Sequence, residues 1–251
     1  MGRICPSKCP IVEASTHSAG LSFFFSHSPY TNRGKEFLMT HLTVDQLTVQ
    51  YGSKVVLNSV SLTLEWGDVV GLMGPNGSGK TTLIHILCST GPRDITPTTG
   101  QVLLGCRDLL TSAPRGVALV PQRGSLHPAY RAKANILRGL SGAERRDALV
   151  RLPSLVEELG IGDLLDAFPR ALSGGQYRMV EIARAFVRIP ELLLLDEPTV
   201  HLDVAHQHRV REAITNLIAH FKPTVLYVTH DSAEIEGIAQ RTLTITNGCI
   251  T

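Results

Sequence analysis

The sequence lacks any strong imbalance of charge. Lys and Arg number 24 against 22 Asp and Glu, a net charge of +2 over 251 residues. No global excess therefore draws the chain to nucleic acid or to an anionic membrane surface, and no nucleic-acid partner is expected. Cysteine is sparse. Cys5, Cys9, Cys88, Cys106 and Cys249 are odd in number and scattered, which argues against a disulfide framework and fits reduced thiols in a cytosolic protein. The spacing of Cys5 and Cys9 to His17 and His27 matches no zinc pattern. No apolar run approaches the roughly 20 residues needed to span a bilayer, so any membrane-spanning part must belong to another chain. Internal repeats, coiled-coil heptads and low-complexity tracts are also missing. What remains is 43% hydrophobic and 18% charged, the composition of a folded globular protein.

Residues 1–38 differ from the rest. They are rich in Ser, Thr, His and Pro, carry the cluster Phe23-Phe24-Phe25, and show no sustained periodicity. They read as a disordered or mis-assigned extension, with Met39 as the start of the fold. A targeting segment is the alternative, although neither an Arg-rich amphipathic pattern nor a long apolar core is present. One domain over 39–251 is therefore expected.

Two strands open that domain, His41–Tyr51 and Val60–Glu65, joined by the turn-prone Tyr51-Gly52-Ser53. Val69–Met73, Val117–Val120, Leu192–Leu195 and Thr224–Val228 are short continuous apolar runs, as expected of strands buried on both faces. Helical patterns follow Lys80, occupy much of Asn135–Phe168, resume after Ser173 and cover Val204–His220. This alternation predicts an α/β fold. Its core is a mostly parallel sheet with helices on its faces and a helical insertion over about 123–172.

Chemistry concentrates at four places. Gly74-Pro75-Asn76-Gly77-Ser78-Gly79-Lys80-Thr81 fits G-x-x-x-x-G-K-[ST] after a buried strand and before a helix, with Thr82 following. Its glycines let backbone amides approach phosphates at a helix start, where the dipole also favours anions. Lys80 suits the β- and γ-phosphates of ATP, and the Thr81 hydroxyl suits Mg²⁺. A glycine-rich turn with a chance lysine is the bland alternative. The run Leu192–Leu195 then ends in Asp196-Glu197. Here Asp196 is placed to hold Mg²⁺ and Glu197 to activate water, although adjacent acids at a strand end are not rare in themselves. Leu172-Ser173-Gly174-Gly175-Gln176 is a third feature, readable in isolation as a capped helix start. The fourth is Val228-Thr229-His230-Asp231, where a satisfied strand-end histidine is the alternative.

Taken in this order, the chain resembles the ATPase subunits of ABC transporters from about Leu42 to Thr251, which implies a P-loop NTPase core with an antiparallel N-terminal β subdomain. Residues 172–176 match that family's signature in type and order. The resemblance implies that Ser173, Gly174, Gly175 and Gln176 of one subunit cover the γ-phosphate held by the phosphate loop of another, so that ATP is shared across a head-to-tail dimer. It implies that Tyr51 stacks on adenine, with an ordinary strand-end tyrosine as the alternative. Gln122 corresponds to the glutamine that meets Mg²⁺ and water. His230 corresponds to the histidine that contacts the γ-phosphate. Asp203 corresponds to the aspartate that communicates across the dimer, and is otherwise an ordinary helix cap. Catalysis would fall to Glu197, His230 and Gln122. The metal would fall to Thr81, Gln122 and Asp196.

The partners implied are a second ATPase subunit, most simply another copy of this chain, an integral membrane permease and a solute-binding protein. They would meet at the cytoplasmic face of a prokaryotic-type membrane. Residues 115–136 resemble importers of small solutes. With the sequence ending at Thr251, no C-terminal regulatory barrel is expected. The other class of reading is a soluble ABC ATPase, for example one serving iron–sulfur assembly; a GTPase is disfavoured by the lack of N-K-x-D. Tyr177 and His201 depart from the commonest family residues, and Thr90–Thr99 reads as an enlarged surface loop.

Overall fold

The computed structural model describes residues 40–90 and 95–251. The proposed extension over 1–38 lies outside the described residues. No helix among these residues is long and apolar enough to cross a membrane.

Two sheets organise the chain. The first has the order β2-β1-β4-β5 and is antiparallel throughout, built from β1 (Thr40–Tyr51), β2 (Lys54–Glu65), β4 (Ile95–Leu104) and β5 (Arg107–Asp108). The second has the order β10-β9-β3-β8-β7-β6. It contains β3 (Val69–Met73), β6 (Val117–Val120), β7 (Leu192–Asp196), β8 (Thr224–Thr229), β9 (Arg241–Thr246) and β10 (Cys249–Ile250). Every pairing in it is parallel except β9 with β10. The expected α/β class and the split between an antiparallel and a mostly parallel sheet are what the structure has.

The continuous apolar runs explain the layering. Leu192 and Leu194 of β7 point into one core, and Leu193 and Leu195 into the other. The first core fills the space between the sheets. Leu42, Val44, Leu57 and Leu64 meet Val70, Leu72 and Leu226 there, with Leu83, Ile84 and Leu87 of α1 (Lys80–Leu87) between them. The second core is covered by helices: α2 (Ala132–Ile136), α3 (Gly142–Leu159), α4 (Gly174–Phe186) and α5 (Val204–Phe221). Met179, Ile182, Ala183 and Phe186 of α4 face Val120, Leu193 and Leu195, at the 3–4-residue spacing of one helix stripe. A short α6 (Ser232–Ile235) follows β8.

The structure corrects four boundaries. β2 starts at Lys54, not Val60: residues 54–57 already pair with β1, and a left-handed Ser59 (φ 50°) breaks the alternation between its two halves. The pairing with β1 then slips across this bulge. Part of the expected loop Thr90–Thr99 is strand: β4 begins at Ile95 and pairs with Tyr51. Pro97 is tolerated there because β5 pairs β4 only at Leu103 and Leu104, which leaves Pro97 on an edge. β9 and β10 have no counterpart in the reading of apolar runs, since Ile245 alone of β9 is fully buried. Within Asn135–Phe168 the helical stretch is broken: α2 and α3 are separate, and Gly162–Leu164 forms a 3-10 turn.

Candidate functional site

The parallel strands deliver their C-terminal ends to one lip. β3 ends at Met73 and leads into residues 74–79, β6 leads into Pro121-Gln122, β7 ends at Asp196, and β8 ends one residue before His230. This is the general position for ligands in open α/β sheets.

The loop at 74–79 is held from behind by residues that carry no motif. The Gly248 amide donates to the Ser78 carbonyl at 3.0 Å. A Cβ on Gly79, whose φ is 110°, would lie 2.6 Å from Leu57 Cδ2 and 3.1 Å from the Val56 carbonyl. Only glycine fits so close to β2 in that conformation. Helix α1 then starts with no side-chain cap. Its first-turn amides are left for another acceptor. Lys80 is buried and its ammonium donates to the carbonyls of Gly74 (2.7 Å) and Pro75 (3.0 Å). The Ser78 hydroxyl is buried with no hydrogen-bond partner.

Two carboxylates face this loop. Asp196 is 4% exposed and accepts from the Thr81 hydroxyl. Burial, then the charge of Glu197, pushes its carboxyl up to about 6 against the pull of Lys80 and Thr81. Glu197 is also buried. Its Oε2 accepts from Gln122 Nε2 at 2.8 Å, and its Oε1 lies 3.2 Å from His230 Nδ1. Its backbone is left-handed (φ 47°), a conformation that costs a non-glycine residue about 1–3 kcal/mol and is shared by seven other non-glycine residues among those described. The amide of Glu197 is fixed to the Val228 carbonyl, so β8 sets this strained turn. Six sequence-predicted residues are thus brought together: Lys80, Thr81, Gln122, Asp196, Glu197 and His230.

The signature residues are arranged differently. Ser173, Gly174 and Gln176 are exposed at the start of α4. Ser173 Oγ accepts from the Gln176 amide (3.2 Å), and Gln176 Oε1 accepts from the Ser173 amide (2.9 Å), a closed capping box. Asp203 caps α5 through the His206 amide (3.0 Å) and contacts the His206 ring at 2.7 Å, while that ring packs on Gly175. No hydrogen bond among the described residues joins 173–176 or Asp203 to residues 74–82. Tyr51 ends β1, half buried, paired across the strands with Lys54 and Ile95.

Several residues of this region carried no motif. Thr199 has a buried hydroxyl without a partner two residues beyond Glu197. Ile245 and Gly248, in the undetected β9–β10 hairpin, back the phosphate loop. Tyr177, Arg178 and Glu181 of α4 grip the segment after Gln122. Glu181 falls with Tyr177, Arg178 and Arg184 off the apolar stripe of α4, so no sequence signal marked its full burial.

Residues 57–200 match the sequence model of the family described as ABC transporter. A putative 2-aminoethylphosphonate import ATP-binding protein PhnT from Salmonella typhi is 37% identical over 205 residues, 80% of this chain and 54% of that protein. The Fe(3+) ions import ATP-binding protein FbpC of Brucella abortus (strain 2308) is 35% identical over 213 residues, 83% of this chain and 59% of that one. The chain spans little more than half the length of these curated relatives. Among solved structures, an ATP-binding subunit of an ABC transporter superposes with TM-score 0.71 at 29% identity, covering 84% of this chain and 88% of that one. A dimeric ATP-binding cassette in a post-hydrolysis state, bound to ADP and Pi, gives TM-score 0.69 at 27% identity over 83% of this chain and 96% of that one. On its fold and its sequence, the chain belongs to the ABC transporter family.

Proposed function

We propose that this chain is the ATP-binding and ATP-hydrolysing subunit of a solute importer, working as a head-to-tail dimer on a separate membrane permease. One observation carries the hydrolytic part. Glu197 is buried at the lip of the sheet beside the phosphate loop, with Oε2 accepting from Gln122 and Oε1 3.2 Å from His230 Nδ1. That is the arrangement of a carboxylate oriented to take a proton from water. Lys80 and the free amides of α1 would neutralise phosphate charge as it develops, and the Ser78 hydroxyl would find there the partner it lacks.

The residues fit a divalent cation. Thr81 and Asp196 are already in contact, Asp196 is buried with its ionised form disfavoured, and Gln122 is at hand. These three would hold Mg²⁺, which supplies positive charge to the phosphate oxygens. Tyr51 is the candidate adenine contact. Ser173, Gly174, Gly175, Gln176 and Asp203 form no link to the loop of their own chain, which supports assigning them to a partner's nucleotide. The import direction rests on relatives named as import ATP-binding proteins. A place at the cytoplasmic side of the membrane accords with such relatives, while a permease at the helices over about 123–172 and a solute-binding protein follow from the family resemblance alone.

The test is Glu197→Gln. Hydrolysis should fall by about 10²–10⁴, the share of a general base, while ATP binding survives. The variant should accumulate as an ATP-bound dimer on size exclusion. Near wild-type turnover by this variant would sink the assignment. Capture of the wild-type protein from solubilised membranes should bring down a multi-spanning chain; cytosolic assembly proteins in its place would remove the transport reading alone.

A further inference from the structure

Helix α4 does more than present the signature. Four of its side chains, Tyr177, Arg178, Glu181 and Arg184, lie on one face and take up the backbone of residues 121–126. Arg178 donates to the carbonyls of Pro121 (2.6 Å) and Gln122 (3.0 Å). It also pairs with Glu181 at 2.9 Å. Glu181 is fully buried and accepts from both the amide and the hydroxyl of Ser125 at 2.7 Å. The Leu126 amide donates to the Tyr177 hydroxyl at 2.8 Å, and Arg184 donates to the Ser125 carbonyl at 2.9 Å. The Tyr177 ring lies so close to Gly124 that a Cβ there would sit 2.7 Å from its hydroxyl oxygen. A short irregular segment is thereby made part of the helix that carries residues 173–176.

We propose that Arg178, Glu181 and Tyr177 are positioning residues for hydrolysis, locking residues 121–126 to the signature helix so that the helix sets where Gln122 meets Glu197. The chain of contacts is continuous. Arg178 holds the Gln122 carbonyl, the Gln122 side chain donates to Glu197 Oε2 at 2.8 Å, and Glu197 is the candidate base. The buried ion pair suits this role because it is rigid and fully satisfied, and an apolar pair of similar volume would pack there without fixing the loop. The inference rests on the reading that Glu197 activates water. In the head-to-tail dimer proposed above the signature faces a second copy's nucleotide, so movement of α4 there would be felt at this copy's own Gln122. Two ATP sites are then tied together through one helix.

The experiment is a cycle between the clamp and Gln122, with ATP turnover, ATP KM and thermal midpoint read on each protein. Losing one member of a buried pair strands the other charge, so both are replaced together in Arg178→Met/Glu181→Leu. Misplacing a catalytic group by about 1 Å costs up to about 10²-fold, so kcat should fall by about 10–10² with ATP KM held within about threefold. The decisive arm is the Gln122→Ala background. If the clamp acts through Gln122, adding Arg178→Met/Glu181→Leu there should change kcat by less than about twofold, because the two act as a unit. A fall of the same size in both backgrounds, or wild-type kcat in the double variant, would overturn the proposal. Should the double variant not fold, Tyr177→Phe keeps it testable: it deletes one acceptor and should lower kcat by about threefold, an effect again lost in Gln122→Ala. Failure of wild-type protein to hydrolyse ATP would instead remove the functional reading beneath it.

Discussion

Two helix starts with serine and glycine stand on this chain, and they are built in opposite ways. At 74–80 the loop is incomplete: α1 has no side-chain cap, the Ser78 hydroxyl has no partner, and Lys80 is folded onto two loop carbonyls. At 173–176 the helix start is satisfied by its own residues through the Ser173–Gln176 capping box. The first is backed by β2 and by the β9–β10 hairpin and sits among buried carboxylates. The second is exposed. The contrast separates a site that must receive a ligand from one that is stable without it and must trade cap bonds for a phosphate when one arrives. A site of the second kind can stand on the surface and wait for another molecule.

The largest expected effect breaks the contrast by mixing variants. Lys80→Met should lower hydrolysis by about 10²–10³, since it removes a charge from the place where phosphate charge develops. Ser173→Arg should do the same by blocking the other half of the site. In a head-to-tail dimer, a heterodimer of the two keeps one site with native Lys80 and Ser173. Random pairing makes half the dimers hetero, so an equimolar mixture should regain about a quarter of wild-type turnover. A mixture as inactive as its parts would mean either that both serine-glycine segments serve one chain's site or that neither site turns over without the other.

Charge gives the next effect, and the two regions differ in its sign. Asp196, in the incomplete site, has its carboxyl raised by burial to about 6. Asp203, at the exposed site, has its carboxyl lowered, chiefly by the His206 amide. A raised carboxyl contributes stability below its unfolded value near 3.8, and this is lost as pH rises through about 6. The penalty on the metal-free protein is about 3 kcal/mol at neutral pH, at 1.36 kcal/mol per unit. Asp196→Asn should therefore gain stability relative to wild type between pH 4 and 7 in chelator, read by thermal melts. A pH-independent gap would refute the shift. Asp203 should show the reverse slope and a far smaller one, because water screens it.

Legibility followed the same divide. The strands Leu192–Asp196 and Thr224–Thr229 are fully buried, so unbroken apolar runs announced them, and the residues at their ends carried the site. Strands that bury one residue in several left no such run, which is why Arg241–Thr246 and Ile95–Leu104 went unread and the backing of the phosphate loop with them. Motif spacing also could not show that Gln122 and His230 approach opposite oxygens of Glu197, contacts made across separations of 75 and 33 residues. Nor could it show the clamp on residues 121–126, since Arg178 and Glu181 read as ordinary helix-surface charges until Glu181 proves fully buried.

The smallest effect is the sharpest statement of the contrast, and it concerns two serines measured without nucleotide. Ser173 has a cap bond to lose. Ser173→Ala should cost about 1 kcal/mol, the usual worth of an N-cap, and lower the melting midpoint by about 2–4 °C in a domain of this size. Ser78 has no bond to lose in this state, for its hydroxyl is buried without a partner. Ser78→Ala removes a buried polar group that nothing compensates, so its stability should stay within about 0.5 kcal/mol of wild type or rise slightly. ATP should reverse the ranking on the Ser78 side. A hydroxyl that pairs with phosphate or with its bound cation is worth about 1 kcal/mol or more, so ATP affinity of Ser78→Ala should fall about fivefold or further. If Ser78→Ala destabilised the free protein as much as Ser173→Ala does, the phosphate loop would be as self-satisfied as the signature. The difference between the two helix starts would then not be one of readiness for a ligand.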